Sequence, residues 1–178
     1  YSGFVLSNIN DQKKIEGENY LSEDDFFKNH DNYSTILLNC IGSMPMSTKR
    51  FEVSKRLRDL GYQIRSLIHP SSYISNDVII SSGVHVMAGA VIQPSTSIGK
   101  DSIINTKASI DHDCLIGENC HIAPGATLSG EVSIGDNCHI GTGTIISNNI
   151  KVGSNSVIAA GSVIFKDIPP NTKFIQKK

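Results

Sequence analysis

The residues best suited to acid–base chemistry are three histidines in the second half of the chain. His112 stands between two aspartates, Asp111 and Asp113. A carboxylate that accepts a hydrogen bond from one ring nitrogen fixes the tautomer, raises the basicity and leaves the other nitrogen free as a base. His121 and His139 are 18 residues apart. We therefore predict a general base at His112, with a solvated surface histidine as the alternative.

A six-residue period organises the part of the chain that holds these histidines. Helices have a period near 3.6 and ordinary strands a period of 2, so neither explains it. A hexapeptide repeat is typical of a parallel β-helix. Sixteen aliphatic residues, thirteen of them Ile, follow the period: Ile74, Ile80, Val86, Ile92, Ile98, Ile104, Ile110, Ile116, Ile122, Leu128, Ile134, Ile140, Ile146, Val152, Ile158 and Ile164.

Two further positions of the hexapeptide support the same fold. Small side chains predicted to point inward with the aliphatic residues stand four positions later: Ala90, Thr96, Ser102, Ala108, Cys114, Cys120, Ala126, Val132, Cys138 and Thr144. Residues that tolerate positive φ, as a corner requires, stand three positions after the aliphatic: Gly83, Gly89, Asp101, Asp113, Asn119, Gly125, Asn137, Gly143, Asn149, Asn155 and Gly161.

The fold class is therefore mainly β, a left-handed parallel β-helix over residues 71–168. Ile-Gly or Val-Gly pairs recur every 18 residues, at Gly99, Gly117, Gly135 and Gly153, so one coil holds three hexapeptides and has a triangular section. With about 4.8 Å between strands, roughly five coils form a prism on the order of 24 Å long. His121 and His139 then occupy one column on adjacent coils.

Residues 1–70 read as a small α/β domain, and residues 169–178 as a C-terminal tail. We predict strands at Phe4–Leu6, Ser34–Ile41 (buried on both faces) and Gln63–Ile68. Helices are predicted from Ser22 to about Lys28 and from about Ser47 to Leu60, the second with Val53, Leu57 and Leu60 on its apolar face. No glycine-rich strand–loop–helix unit precedes the first strand, so we expect a truncated Rossmann-like domain.

Composition excludes several classes of partner. The net charge is −1 and the basic residues are scattered, which disfavours a nucleic-acid partner. The chain shows neither a signal segment nor an apolar run of about 20 residues, so we expect a cytoplasmic protein without a membrane span.

Of the four cysteines, Cys114, Cys120 and Cys138 occupy inward positions of the repeat and are predicted to be buried free thiols. Without a Cys-x-x-Cys pair, or the paired-histidine spacing of a γ-type carbonic anhydrase, no metal is expected.

Several motifs together resemble the NeuD/PglD-like sugar acyltransferases. The central segment runs Asn105-Thr106, Ile110-Asp111-His112-Asp113-Cys114, Ile116-Gly117, His121-Ile122-Ala123-Pro124-Gly125-Ala126 and Gly130; His69-Pro70-Ser71-Ser72 and Lys166-Asp167-Ile168-Pro169 flank the prism. The resemblance covers essentially the whole chain. It implies a homotrimer with active sites between protomers and a sugar-nucleotide domain in residues 1–70. It also implies acetyl transfer from acetyl-CoA to a bacterial sugar.

The same resemblance implies catalytic or binding roles for individual residues. His112 matches the general base and Asp113 the acid that raises its basicity. Asn105 matches a polar substrate position, and His121, Gly130, Thr142 and Ala160 match positions that meet acetyl-CoA or the oxyanion. Apart from the resemblance, Gly42 and Ser43 lie between a predicted strand and a helix, where a substrate phosphate could bind; an ordinary connecting loop is the alternative. The family's glycine-rich N-terminal loop is absent here, and its Gly-x-Pro-Ala-Arg/Lys ending is replaced by residues 171–176.

The sequence therefore predicts N-acetylation of a nucleotide-linked 4-amino-4,6-dideoxy sugar by direct transfer. O-acetylation of sialic acid or a related sugar is the alternative, because one His–Asp pair can serve an amine or a hydroxyl. A nucleophilic cysteine is disfavoured by its inward position. A trimeric β-helix with a purely structural or binding role is the non-enzymatic alternative. The 70 residues before the prism are too few for a nucleotidyltransferase domain.

Overall fold

The computed structural model describes residues 4–6 and 20–175. The first part contains β1 (Phe4–Leu6), β2 (Tyr20–Ser22), α1 (Glu23–Asn29), β3 (Ile36–Leu37), α2 (Lys49–Asp59) and β4 (Gln63–Ile64). β1 pairs in parallel with β2, and β3 pairs in parallel with β4. No helix in these ranges is long and apolar enough to cross a lipid bilayer.

The prism is built from eighteen strands of two residues each. They are β5 (Leu67–Ile68), β6 (Tyr73–Ile74), β7 (Ile79–Ile80), β8 (His85–Val86), β9 (Val91–Ile92), β10 (Ser97–Ile98), β11 (Ile103–Ile104), β12 (Ser109–Ile110), β13 (Leu115–Ile116), β14 (His121–Ile122), β15 (Thr127–Leu128), β16 (Ser133–Ile134), β17 (His139–Ile140), β18 (Ile145–Ile146), β19 (Lys151–Val152), β20 (Val157–Ile158), β21 (Val163–Ile164) and β22 (Lys173–Phe174).

These strands form the three parallel faces that the sequence predicts. The sheets contain five strands (β7, β10, β13, β16, β19), six strands (β6, β9, β12, β15, β18, β21) and seven strands (β5, β8, β11, β14, β17, β20, β22). Paired residues are 18 positions apart, as His121 and His139 are, except where β20 pairs with β22 at a separation of 16. The left-handed β-helix is confirmed, with about six turns rather than five.

The inward positions form one continuous core. Every aliphatic residue of the repeat from Val86 to Ile164 is buried, and so are all ten of the predicted small inward residues. Ile74 and Ile80, on the first coil, are half-buried and pack against this core. Because residues in a strand alternate between two faces, the residue before each aliphatic points outward and is available for a surface role.

The corners adopt the left-handed conformation at every predicted position. Positive φ values are also found at Ser95 (59°), Lys107 (56°) and Glu131 (62°), where the sequence offers no glycine, Asn or Asp. The corner asparagines stack, since the side-chain amides of Asn119, Asn137 and Asn155 each donate to the next asparagine. These ladders satisfy polar groups that a sharp turn would otherwise leave unpaired.

The strands of the N-terminal part depart from the prediction in three places, the first being β2, which was not predicted. The strand predicted over Ser34–Ile41 is only β3, and its burial on both faces is wrong, because Ile36 is 51% exposed and Leu38 is 49% exposed. The strand predicted over Gln63–Ile68 is two strands, since β4 pairs with β3 whereas β5 joins the seven-stranded sheet of the prism.

The two predicted helices are present, but α2 is buried differently. In α1 the Ser22 hydroxyl accepts a hydrogen bond from Asp25 N–H at 3.1 Å, as an N-cap does. In α2 the buried residues are Arg50 and Ser54, not the predicted apolar stripe of Val53, Leu57 and the exposed Leu60. A hydrophobic period does not detect this arrangement because polar groups make the contact.

Arg50 and Arg58 of α2 hold the N-terminal part against the first coils of the prism. The Arg50 guanidinium is 2% exposed and donates to the backbone carbonyls of Ile41, Gly83 and Asp101, and also of Asn39. Arg58 makes a two-pronged ion pair with the fully buried Asp101 carboxylate, at 2.6 and 2.9 Å. α2 is therefore fixed to a corner of the prism.

At the other end, sheet pairing continues past the last hexapeptide. Ile168 is buried and bridges to Val152, and β22 pairs with β20. Residues 169–175 thus close the prism, whereas residues 176–178 lie outside the described ranges. The division of the chain at residues 70 and 168 into domains stays a prediction.

Candidate active site

The His112 side chain lies on an outer corner of the prism. This corner joins β12 of the six-stranded sheet to β13 of the five-stranded sheet. The side chain is 54% exposed, as a base that must meet a substrate requires. Its backbone N–H donates to Asp111 Oδ1 at 2.8 Å, and Asp113 adopts a φ of 58° immediately afterwards. The corner geometry therefore turns both His112 and Asp113 outward.

The His112 ring is polarised by its neighbour. His112 Nδ1 and Asp113 Oδ2 are 2.7 Å apart. An ionised carboxylate only accepts, so Nδ1 carries the proton and Nε2 keeps its lone pair. The hydrogen bond to Asp113 is the main cause that raises the pKa of His112. Desolvation is the next largest effect and opposes the shift, whereas the negative charges of Asp111, Asp113 and Glu131 add to it.

Gly130 provides the space for the His112 ring on the next coil. A Cβ at position 130 would lie 2.7 Å from both Cε1 and Nε2 of His112. The two residues are 18 positions apart, so the glycine lies directly over the ring along the prism axis. Gly130 itself is buried, and its N–H donates no hydrogen bond among residues 4–6 and 20–175. The structure thus brings together His112, Asp113 and Gly130.

Asn105 and His121 form a second polar group, on a different corner. The Asn105 Oδ1 atom accepts from Thr106 N–H at 2.7 Å, which leaves Nδ2 to face His121 Nε2 at 2.9 Å. An amide nitrogen only donates, so Nε2 accepts and the His121 proton sits on Nδ1. This imidazole cannot act as a base through Nε2.

His121 is also buried beside other histidines. Burial lowers the pKa of His121 to about 4; the positive charges of His139 and Arg50 lower it further, and the backbone of Ser43 opposes the shift. Burial also lowers the pKa of His139, and it lowers the pKa of His85 to about 4 with help from Arg50. The histidines on this face are therefore neutral at physiological pH.

The remaining predicted residues lie around the Asn105 corner or beside it. Thr142 and Ala160 are exposed and stacked on the corner between the seven- and six-stranded sheets, where Thr142 O accepts from Gly161 N–H at 2.8 Å. The exposed Gly42 and the half-buried Ser43 belong to the segment between β3 and α2. Ser43 lines a shallow cleft whose other wall includes His139.

One protomer does not bring all of these residues together. The His112 corner and the Asn105 corner stand at opposite ends of β12, one side of the triangle apart. At about 3.3 Å per residue, that side is roughly 15 Å long. Within a single prism, His112 is therefore out of hydrogen-bond reach of the Asn105–His121 pair.

The sequence did not predict the contacts of two residues near the Asn105–His121 pair, His139 and Arg50. His139 was placed in the His121 column, but its ring contact with His121 was not predicted. The burial of Arg50 was not predicted either, because an arginine in a helix usually faces solvent.

The cysteines match their prediction: Cys114, Cys120 and Cys138 are buried, and burial raises the pKa of Cys114 to about 11. Across the described ranges, no three His, Cys, Asp or Glu side chains are grouped to hold a metal ion.

Comparison with known proteins identifies the family of this chain. The family described as "Bacterial transferase hexapeptide (six repeats)" matches residues 95–130 and 131–166. The acetyltransferase domain of PglB from Neisseria gonorrhoeae, solved with acetyl coenzyme A, is 32% identical with a TM-score of 0.83, and the match covers 95% of this chain and 81% of that domain.

Two other solved structures are similar over most of the chain. A variant of perosamine N-acetyltransferase from Caulobacter crescentus, in complex with CoA and GDP-perosamine, is 30% identical with a TM-score of 0.76, covering 86% of this chain and 72% of that one. WeeI from Acinetobacter baumannii is 23% identical with a TM-score of 0.70, covering 96% and 81%, and shows the shared fold. The chain is therefore an acyltransferase that belongs to the NeuD/PglD-like sugar acyltransferases, hexapeptide-repeat enzymes of the left-handed β-helix type.

Proposed function

We propose that this acyltransferase moves the acetyl group of acetyl-CoA to the amino group of a nucleotide-linked 4-amino-4,6-dideoxy sugar, with His112 as the general base. The observation that carries the proposal is the exposed His112 ring, bonded to Asp113 at Nδ1 and fitted against Gly130. The similar proteins solved with acetyl coenzyme A or with GDP-perosamine support the choice of co-substrate and acceptor class.

His112 would first accept a proton from the acceptor amine and then donate it to the leaving thiolate. Acetyl-CoA supplies the acetyl group as a thioester. As the acceptor nitrogen forms its bond to the thioester carbonyl carbon, His112 Nε2 takes the proton from that nitrogen. Asp113 accepts the hydrogen bond from Nδ1–H throughout and stabilises the imidazolium. When the carbon–sulfur bond breaks, the same proton passes from Nε2 to the departing sulfur, so no acyl-enzyme is needed.

The backbone around Gly130 fits the developing oxyanion. Its N–H donates no hydrogen bond within the described ranges and lies on the coil next to the His112 ring. A preorganised backbone N–H at this place would stabilise negative charge on the carbonyl oxygen while Nε2 holds the proton. The neutral Asn105–His121 pair and the corner at Thr142 and Ala160 would hold the thioester end and the pantetheine arm.

Separation of the two corners favours a site shared between protomers. His112 and the Asn105–His121 pair are at opposite ends of β12, so a complete site requires the His112 corner of one copy to meet the Asn105 corner of another. A closed homotrimer, as the family resemblance implies, would form three such contacts by one symmetry operation. Gly42 and Ser43, near His121, would contact the acceptor sugar.

Release of CoA thiol from acetyl-CoA, followed with a disulfide dye, tests the proposal. The acceptors would be a nucleotide-linked 4-amino-4,6-dideoxy sugar and free sialic acid. We expect release with the amino sugar, and a loss of about two to four orders of magnitude in His112→Ala. Release only with sialic acid would indicate O-acetylation. A folded protein that is silent with both, or a loss below threefold in the variant, would contradict the proposal.

A further inference from the structure

His121 has a second neighbour whose contact is as specific as its bond to Asn105. His121 on β14 and His139 on β17 are directly paired in register on adjacent coils. Their ring centroids are 4.8 Å apart and the ring planes meet at 88°, which is an edge-to-face contact. Aromatic pairs favour this arrangement because the positive edge of one ring meets the negative face of the other.

Two contacts therefore hold the His121 ring from different sides. Asn105 Nδ2 donates to Nε2, and Asn105 is itself fixed by the Thr106 N–H. His139 limits rotation about the side-chain bonds, since any other rotamer would break the edge-to-face contact. His121 is 9% exposed, and its Nδ1 makes no hydrogen bond among the described residues.

We propose that His139 is a positioning residue, which holds His121 in one orientation with the proton on Nδ1 so that this face presents a neutral imidazole to the thioester. The inference rests on the proposed function, in which His121 lies beside acetyl-CoA. β17 would then contribute to the site in two ways. It carries His139, and it leads directly into the corner at Thr142 that would contact the pantetheine arm.

The charged groups around His121 and His139 favour the neutral state of the His121 imidazole. After burial, His139 and Arg50 on α2 are the titratable and charged groups that lower the pKa of His121, and the Ser43 backbone is the neighbour that raises it. Protonating His121 would require Nε2 to donate, and Asn105 Nδ2 cannot accept. His139 thus excludes water from the ring as well as orienting it.

Nitrogen-15 spectra of histidine-labelled protein test the orientation directly. In the wild type we expect His121 to show the Nδ1–H tautomer and no titration between about pH 5 and 8. His139→Phe keeps an aromatic edge and should preserve both properties. His139→Ala removes the ring contact that keeps His121 Nε2 against Asn105, and it opens the pocket to water. His121 should therefore become a mixture of tautomers with its pKa raised toward the ordinary value.

The kinetic readout accompanies the spectra. We expect kcat/KM for acetyl-CoA to fall about three- to tenfold in His139→Ala and to stay within about twofold in His139→Phe, as the worth of an aromatic pair predicts. An unchanged His121 tautomer and titration in the alanine variant would overturn the proposal, as would equal losses in both variants. If the wild type released no CoA, the proposed function would fail, yet the spectra would still decide the orientation.

Discussion

Substitution of Gly130 by alanine should impair the general base by displacing the His112 ring, although His112 itself is unchanged. The new Cβ would lie 2.7 Å from Nε2 and Cε1 of His112, whereas ordinary contacts begin at 3.4 Å, so the ring must retreat by about 0.7 Å. A displacement near 1 Å at a reacting group costs about 10²-fold in rate. We therefore expect kcat to fall about 30- to 100-fold in Gly130→Ala. Because the His112 side chain is half-exposed, the melting temperature should change little.

The assay is steady-state CoA release by Gly130→Ala, His112→Ala and the double variant. If alanine acts by displacing the ring, it has nothing to displace once His112 is gone, and the double variant should match His112→Ala within about twofold. A single variant with wild-type kcat would refute the reasoning. So would a double variant that loses a further 30-fold, because the glycine would then act independently of His112.

The structure also predicts the direction of the effect of two further substitutions, one on the pH dependence of activity and one on stability. Asp113→Asn removes the main cause that raises the pKa of His112, so this pKa should fall toward 6.5. Since the deprotonated ring is active, the acid limb of kcat/KM should move to lower pH while the plateau drops about three- to tenfold; an unmoved limb would contradict this. Arg58→Ala leaves the buried Asp101 carboxylate unpaired and should cost about 3 kcal/mol in urea unfolding. Lys55→Ala breaks only an exposed pair and should cost less than about 1 kcal/mol, so equal losses would refute the assignment.

The prism could be predicted from the sequence because each hexapeptide repeats one local requirement. An aliphatic residue at every sixth position, such as Ile104 and Ile110, is buried in all the inner coils. Corner residues with positive φ were recognised where they are glycine, Asn or Asp. Ser95, Lys107 and Glu131 adopt the same conformation without a sequence signal, because stacking on neighbouring coils imposes it.

The N-terminal part was harder to predict because its contacts are polar and distant in sequence. Arg50 binds backbone carbonyls from Asn39 to Asp101, and no periodic pattern encodes such a set. The apolar run around Ile36 and Leu38 resembles a buried strand, yet these side chains are exposed in the described structure. Local hydrophobicity predicts a strand there, whereas burial depends on which element covers it.

The residues of the candidate site are a prediction from the sequence, whereas their arrangement required the structure. Motif resemblance identified His112, Asp113, Asn105 and His121. The bond from Asn105 to His121, the edge-on His139 and the separation of the two corners depend on how the coils stack. This separation is the reason for our proposal that a complete site is shared between two copies of the chain.

Mixing two inactive variants tests that claim most directly. His112→Ala copies retain the Asn105 corner, and Asn105→Ala copies retain the base, so each alone lacks part of every site. In randomly mixed, closed oligomers, about a quarter of the shared sites would receive one intact half from each copy. We predict that co-refolded variants recover about a quarter of wild-type CoA release. Mixtures no more active than the separate variants, despite confirmed exchange of subunits, would contradict the shared site.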